Sequence, residues 1–196
     1  GAFNLEQTRK ILEVGRQLGF RLKLHADEFD NLGGTSLGVE LGATSIDHLV
    51  AASDEDIRRL AESSTVAVGL PGTPFGLAEE NYAPAKKILA ADGILAIASD
   101  INPGTSWCEN MQFMLALACR YMLLTPAQAI AAATINAAAA IDRADKIGSL
   151  EIGKQADLLI LSVPDYRHLG YRYGTNLVKT VIKRGQVFHV KDINDA

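Results

Sequence analysis

The stretch Gly93-Ile94-Leu95-Ala96-Ile97-Ala98-Ser99-Asp100 is an apolar run that ends in a carboxylate, and turn-forming residues follow it at once. A buried strand that stops at an ionisable side chain presents that side chain at the edge of a sheet. His25 and His48 end two earlier runs of the same kind. Three side chains of metal-ligand type therefore occupy equivalent positions in successive units, which predicts a common site.

Helical and strand patterns alternate along the first hundred residues. Each predicted strand is apolar on both faces, which is typical of a parallel sheet covered by helices. The predicted helices cover residues 5–18, 36–41, 53–62 and 79–91, the last interrupted by Pro84, and the predicted strands cover residues 21–25, 44–48, 65–70 and 93–99.

Four such units make half of an eight-stranded (β/α) barrel, the TIM barrel, which we take as the second half. In that fold the active site lies at the carboxyl ends of the strands, where His25, His48, the Pro71-Gly72-Thr73 loop and Asp100 all fall. An open doubly wound sheet is the alternative, but no glycine-rich phosphate loop accompanies the pattern.

The pattern changes after residue 147, and we predict a domain boundary there. Two more helices are expected first, over residues 106–124 with Ser106 and Glu109 as a capping box, and over residues 125–141. From residue 148 to 196 short strands follow, at 157–161, 179–183 and 187–190, which predicts a small β domain or part of one.

Composition excludes several classes of function. The 196 residues carry a formal charge of −4 and no block of Lys and Arg, so nucleic acid is not an expected partner. Apolar stretches are too short to span a bilayer. The two cysteines, Cys108 and Cys119, are predicted on one helix too far apart to bridge, which favours a reducing compartment and hence the cytoplasm.

The candidate site contains ordinary metal ligands. Imidazole and carboxylate groups bind Zn²⁺ or Fe²⁺, and a hydrolytic ion needs about three protein ligands plus a water. A histidine at a strand end is more often structural, but matched positions in successive units favour a site. Glu28 lies three residues beyond His25 and could move protons at a substrate nitrogen, or could be a solvated loop acid. His168 and His189 receive no role.

Four motifs, taken in order, carry a family resemblance. They are His25-Ala26-Asp27-Glu28, Ile46-Asp47-His48-Leu49, Leu70-Pro71-Gly72-Thr73-Pro74-Phe75 and Ala98-Ser99-Asp100-Ile101-Asn102-Pro103-Gly104. Together they resemble the second half of the imidazolonepropionase family, within the amidohydrolase superfamily. Residues 148–157 are similar to the segment that leads amidohydrolases back into a small β-sandwich domain.

The resemblance implies a hydrolase that cleaves a carbon–nitrogen bond of a cyclic amide, 4-imidazolone-5-propanoate, to give N-formimidoyl-L-glutamate in histidine degradation. It implies one ion per site, Zn²⁺ or Fe²⁺/Fe³⁺, with His25 and Asp100 as ligands. Asp100 would also take the proton from water. Glu28 and His48 would orient the substrate and protonate its leaving nitrogen.

The resemblance further implies that Asn102, Gly104 and Thr105 hold the substrate near the start of the following helix. Glu28 is expected to bind the substrate as well as to act in catalysis. A homodimer is expected for the full-length enzyme, and no membrane partner is expected.

The chain departs from the family pattern in one respect, because it contains no His-x-His motif to supply two further ligands. We therefore expect it to correspond to the C-terminal half of the enzyme and to be inactive alone. Two alternatives stay open: another amidohydrolase-superfamily enzyme such as a nucleobase aminohydrolase, or a non-catalytic binding module.

Overall fold

A computed structural model describes residues 2–189 of the chain. Within that range there are two sheets and a set of mostly short helices. The strands are β1 (Lys23–Ala26), β2 (Ser45–His48), β3 (Val66–Gly69), β4 (Leu95–Ile97), β5 (Leu158–Leu161), β6 (Val178–Lys183) and β7 (Gln186–His189). The helices are α1 (Leu5–Gln17), α2 (Gly34–Glu40), α3 (Asp54–Ala61), α4 (Gly72–Gly76), α5 (Ala85–Ala90), α6 (Met111–Tyr121), α7 (Pro126–Ala133), α8 (Ile135–Ala140) and α9 (His168–Tyr171).

The first sheet is parallel and has the strand order β1-β2-β3-β4. Each strand pairs with the next one along the chain, and helices connect them, as in the wall of a barrel. The order does not reverse, so the open doubly wound alternative is not supported. In the register, His25 lies beside Asp47, and Ala26 lies beside His48.

The main core lies between this sheet and the outer helices. Ile46, Leu95 and Ile97 project from the strands and are at most 1% exposed. Leu60 of α3 and Ile88 of α5 cover them and are buried to the same degree. Each such side chain contributes about 1.5–3 kcal/mol relative to an exposed one, so this layer fixes the positions of the strand ends.

The opposite face of the sheet is partly covered by α8. Val66, Val68 and Ala96 pack there with Ala140. The Asn136 side-chain amide also donates a hydrogen bond of 2.8 Å to the backbone carbonyl of Leu95, the first residue of β4. The Ala-rich helix therefore lies against the beginning of the strands, away from the carboxyl ends that carry His48 and Asp100.

The helix predicted for residues 79–91 is wrong over its first half, because α5 begins only at Ala85. Pro84 precedes it with ψ of 58°, outside the helical region, and the proline ring disfavours a helical conformation at the residue before it. The helix α4, directly after β3, was not predicted, since Pro71 and two glycines indicate a loop.

The capping box predicted at Ser106 is also wrong, because α6 begins at Met111 with Asn110 as its N-cap. The Ser106 hydroxyl instead donates to the Ser99 carbonyl at 2.7 Å. Cys108 consequently lies before the helix that carries Cys119, and both thiols are free.

The helix predicted for residues 125–141 is two helices. The helix α7 begins where the sequence predicts, and Thr125 and Gln128 form a capping box there. Thr134, with φ of −121° and ψ of −91°, interrupts the helix between α7 and α8. Its hydroxyl donates a hydrogen bond to the Ile130 carbonyl at 2.7 Å. Such a bond to the preceding turn often accompanies a bend in a helix.

The second sheet is antiparallel with the order β5-β6-β7. Its three strands lie at the positions that the sequence predicts, although Val190 lies outside the described residues. The segment before β6 is attached to α6 by Gln112, whose side chain donates to Asn176 and accepts from the Leu177 amide. Arg120 donates to the Gly170 carbonyl at 2.6 Å. Across residues 2–189, none of the helices has the length and apolarity needed to cross a membrane.

Candidate metal site and its surroundings

Three strand ends bring His25, His48 and Asp100 together. His25 is the third residue of β1, His48 is the last residue of β2, and Asp100 follows β4 by three positions. One ligand atom from each side chain lies within 4.8 Å of the other two. The two imidazole rings are 4.9 Å apart between centroids and tilted by 52°.

The backbone bends sharply where it presents these groups. His48 has φ of 76°, Leu49 has φ of 62° and Asp100 has φ of 50°, in the left-handed region of backbone conformation that residues other than glycine seldom adopt. Such residues cost of order 1–3 kcal/mol each and cluster at functional sites. Here the strain coincides with two of the three side chains of the group.

His48 lies at the centre of the site and is only 5% exposed. Its Nδ1 is 3.6 Å from Glu28 Oε1, and its Nε2 is 3.9 Å from Asp100 Oδ2, both beyond direct hydrogen-bond distance. Burial, and then the nearby His25, lower the pKa of His48 to about 4, against the opposing effect of Asp100. The imidazole is therefore neutral at pH 7 and has a lone pair to offer a cation.

Glu28 is half-buried and faces the same centre. Burial raises the pKa of Glu28 above its ordinary value, and the negative charge of Asp100 raises it further, whereas His25 lowers it. The carboxyl is therefore moved toward the range in which it can both hold and release a proton. A fully solvated loop acid would not have this environment.

Asp27 fixes the loop that carries Glu28. Its buried carboxylate accepts hydrogen bonds from the backbone amides of Leu32, Gly34 and Thr35, at 2.9, 3.3 and 2.8 Å. These amides lie in the loop and at the start of α2, where the helix itself provides no acceptors. The sequence shows an acidic residue after the strand, but only the structure shows the three backbone hydrogen bonds that its carboxylate accepts.

Thr73 is a site residue to which the sequence analysis assigned no specific role, although its loop was placed at the strand ends. It is 2% exposed, and its hydroxyl donates to Asp100 Oδ2 at 2.6 Å.

Asp47 was also missed, and its Oδ2 lies 3.8 Å from His25 Nδ1. Burial raises the pKa of Asp47, with Lys23 and then His25 opposing. The alternation of β2, which sets Asp47 on the same side as its register partner His25, is the signal that could have indicated it.

The loop after Asp100 is tied together by Asn102. Its side-chain amide nitrogen donates to the Asp100 carbonyl at 2.7 Å and to Thr105 Oγ1 at 3.0 Å, and its oxygen accepts from the amides of Gly104 and Thr105, both at 2.8 Å. These predicted substrate-binding residues thus form one compact turn. These residues were expected near the start of the following helix. That expectation is wrong, because α6 begins only at Met111.

The donor set fits a small transition-metal ion. Two ligands at about 2.1 Å from one ion are at most about 4.2 Å apart, so the group needs only a small contraction to enclose one. Two imidazoles and one carboxylate suit zinc or iron and leave positions open for water and further ligands. His48, which was predicted to act on the substrate, belongs geometrically to this group along with His25 and Asp100.

Comparison with known proteins assigns the chain to a family. The sequence profile described as "Amidohydrolase family" matches residues 11–188. The chain belongs to the amidohydrolase family. This amidohydrolase chain is 57% identical over 187 residues to the imidazolonepropionase of Herpetosiphon aurantiacus, and the match covers 95% of the chain and 44% of that protein. It is 48% identical to the imidazolonepropionase of Symbiobacterium thermophilum, with the same coverage of both.

The resemblance inferred from the four motifs is thereby confirmed, and the amidohydrolase chain spans less than half the length of these curated relatives. Solved structures show the same fold. A zinc-bound adenosine deaminase from Xanthomonas campestris aligns with a TM-score of 0.78 at 23% identity, over 94% of this chain and 48% of that one. A 5-methylcytosine deaminase from Klebsiella pneumoniae aligns with a TM-score of 0.79 at 18% identity, over 96% and 53%.

Proposed function

We propose that this chain carries part of the active site of an imidazolonepropionase, which hydrolyses the ring amide of 4-imidazolone-5-propanoate to N-formimidoyl-L-glutamate. The observation that carries the proposal is the convergence of His25, His48 and Asp100 within 4.8 Å at the carboxyl ends of the strands. The 57% identity to a protein of that name supports the choice of substrate.

His25 and Asp100 are the proposed metal ligands, and the neutral imidazole of His48 lies close enough to join them. A bound Zn²⁺ or Fe²⁺/Fe³⁺ ion would lower the pKa of its water and polarise the ring carbonyl. Asp100 would accept the proton of that water as its oxygen adds to the carbonyl carbon. The ring carbon–nitrogen bond then breaks, and the nitrogen must gain a proton.

Glu28 is the proposed donor of that proton. Its carboxyl faces the same centre, its pKa is raised by burial, and its Oε1 lies 3.6 Å from His48 Nδ1. Because Asp27 holds the Glu28 loop against α2, the carboxyl stays at the rim of the site. Glu28 would also bind a ring nitrogen of the substrate before the bond breaks.

Asn102, Gly104 and Thr105 are proposed to line the substrate side of the site. Both amide hydrogens of Asn102 are already engaged within its turn. We therefore assign Asn102 the part of shaping the turn whose exposed surface meets the substrate. The remaining proposals are a homodimeric, cytoplasmic enzyme and a boundary that divides residues 1–147 from a β-sandwich segment at 148–196.

Metal content tests the first half of the proposal. The purified chain, loaded separately with Zn²⁺ and Fe²⁺ and then desalted, is analysed by inductively coupled plasma mass spectrometry. We expect up to one ion per chain and its loss in the His25→Ala and Asp100→Asn variants. Asp145→Asn, at an exposed position, is the matched control and should retain the ion. Equal metal content in all four proteins would contradict the site.

Complementation tests the reaction. The chain is co-expressed with the segment of the Herpetosiphon aurantiacus enzyme that lies before the matched region, and formation of N-formimidoyl-L-glutamate is measured. We expect turnover from the pair, none from the chain alone and none from the pair carrying Asp100→Asn. Ammonia release from nucleobases without this product would indicate an aminohydrolase instead. Metal binding by the pair without either product would favour a binding module.

A further inference from the structure

The short helix α4 lies directly against the loop that carries Asp100, and two glycines make the contact possible. A Cβ on Gly72 would lie 2.5 Å from Ser106 Oγ and 3.1 Å from the Ser99 carbonyl oxygen. A Cβ on Gly76 would lie 2.0 Å from the Thr105 carbonyl oxygen, a distance that no side chain can occupy. The helix backbone therefore touches both sides of the Asp100 turn.

Thr73 lies between these two glycines in the sequence of α4, and its side chain is buried. Its hydroxyl donates to Asp100 Oδ2 at 2.6 Å, within the range of strong bonds from a hydroxyl to a carboxylate. The same Oδ2 is the oxygen nearest His48 Nε2, at 3.9 Å, which is too far for a hydrogen bond. Among the described residues, the side-chain hydrogen bond to the Asp100 carboxylate comes from Thr73.

We propose that Thr73 is a positioning residue whose hydroxyl holds the Asp100 carboxylate in one orientation, with Oδ2, the oxygen nearest His48 Nε2, on the side of the candidate metal site. The inference rests on the proposed metal site and deepens it. A carboxylate with two uncommitted oxygens can rotate or chelate an ion through both. A short hydrogen bond from a buried hydroxyl opposes that rotation and fixes the orientation in which the Asp100 carboxylate meets the ion.

The alternative is that Thr73 only fills space beneath the loop. Valine has nearly the shape of threonine without the hydroxyl, whereas serine keeps the hydroxyl and loses a methyl group. The two hypotheses therefore predict opposite orders of severity for these two substitutions. Positioning requires Thr73→Ser to behave like the wild type and Thr73→Val to differ, while pure packing requires Thr73→Val to be the milder change.

The test uses Co²⁺, alone, as the probe with the full chain. Dissociation constants come from titration of the visible absorption bands, whose shape and intensity report the coordination number. We expect Thr73→Val to weaken Co²⁺ binding about 10–100-fold, the usual effect of losing a partner that orients a ligand, and to alter the spectrum. Thr73→Ser should stay within about threefold of wild type with an unaltered spectrum. Thr175→Val, at an exposed position, is the control.

A metal-free readout accompanies the titration. In protein labelled with ¹³C at the aspartate carboxyls, the Asp100 resonance, assigned from its loss in Asp100→Asn, should move in Thr73→Val and not in Thr73→Ser. Circular dichroism checks folding, and if Thr73→Val does not fold, Thr73→Cys takes its place because a thiol is a weak donor.

The outcomes separate the two proposals. If wild type binds Co²⁺ and Thr73→Val matches it in affinity and spectrum, the role of Thr73 is overturned and the metal site stands. If wild type itself binds no Co²⁺, the proposed metal site fails in this chain, and the inference about the orientation of Asp100 fails with it.

Discussion

His48 couples the stability of the metal-free chain to pH. Its pKa is about 4 in the folded protein, against 6.5 for an ordinary histidine, because burial and His25 disfavour its charge. Between these values the unfolded chain binds a proton that the folded chain does not. The contribution of the neutral His48 to the free energy of unfolding is therefore complete above pH 6.5. It decreases as the pH falls toward 4, by at most about 3 kcal/mol.

Urea denaturation of the chelator-treated chain at several pH values measures this dependence. We expect the free energy of unfolding to decrease between pH 6.5 and 4, and His48→Asn to decrease less steeply over the same interval. An equal slope in both proteins would show that other groups cause the loss.

Asp27 illustrates a residue whose importance comes from its acceptors. Asp27→Ala leaves three backbone amides without their partner, so we expect a loss of about 1–3 kcal/mol in the free energy of unfolding. Hydrogen exchange should also become faster at Leu32, Gly34 and Thr35. Asp30→Ala, at an exposed position in the same loop, is the control and should change neither quantity.

At this scale the sequence identified His25, His48, Glu28 and Asp100, because ionisable side chains at the ends of apolar strands are unusual and therefore noticeable. It did not assign roles to Thr73 or Asp47. A threonine next to a proline and a glycine is common in turns, and only the packing of α4 against the Asp100 loop gives its hydroxyl a carboxylate to bind.

At the scale of elements, the contact between α2 and the sheet depends on Gly38. A Cβ there would lie 2.7 Å from Ile46 Cδ1 and 2.8 Å from Leu24 Cδ2, and Ile46 is fully buried and has little room to move. We expect Gly38→Ala to destabilise the chain by about 1–3 kcal/mol through overpacking. Chemical denaturation measures the change.

Gly15 offers the matched comparison within α1. A Cβ at Gly15 would lie 3.7 Å from Leu22 Cδ2, an ordinary contact, so Gly15→Ala should stabilise the chain by up to about 1 kcal/mol through helix propensity. The same substitution in two helices is thus expected to have opposite signs. Stabilisation by both would show that α2 does not pack on the sheet as closely as described.

The elements also show where local patterns were sufficient. Ser53 with Asp56 and Thr125 with Gln128 form capping boxes at the starts of α3 and α7, where each motif satisfies its own backbone amides. Ser106 has the same spacing to Glu109, yet its hydroxyl binds the Ser99 carbonyl. The hydroxyl of Ser106 thus binds a carbonyl seven residues earlier in the chain and does not cap a helix. The local sequence around Ser106 does not reveal this choice of partner.

At the scale of the whole molecule, the most notable feature is apolar surface on α1. Ile11, Val14 and Leu18 are 52%, 47% and 69% exposed and share one face, since they are three and four residues apart. Contiguous apolar surface of this kind marks an interaction site or a tendency to associate. We therefore expect the chain to self-associate as its concentration rises, as measured by light scattering after size exclusion.

Lysine substitution of those three residues together should shift the chain toward a monomer. The control places three lysines at exposed polar positions, Gln17, Ser64 and Thr175, and so adds the same charge without removing apolar surface. If both variants dissociate equally, net charge and not the α1 face controls association.

The sequence by itself determined the parallel sheet, the order of its strands and the strand ends that carry His25, His48 and Asp100, because apolar runs and helix caps act through neighbours along the chain. Tertiary structure alone decided that α4 contacts the Asp100 loop, that Ser106 binds the Ser99 carbonyl and does not cap a helix, and that His48 is buried and neutral beside a carboxylate. Those outcomes depend on distances between residues far apart in sequence, where packing and desolvation, and not local propensity, determine the free energy.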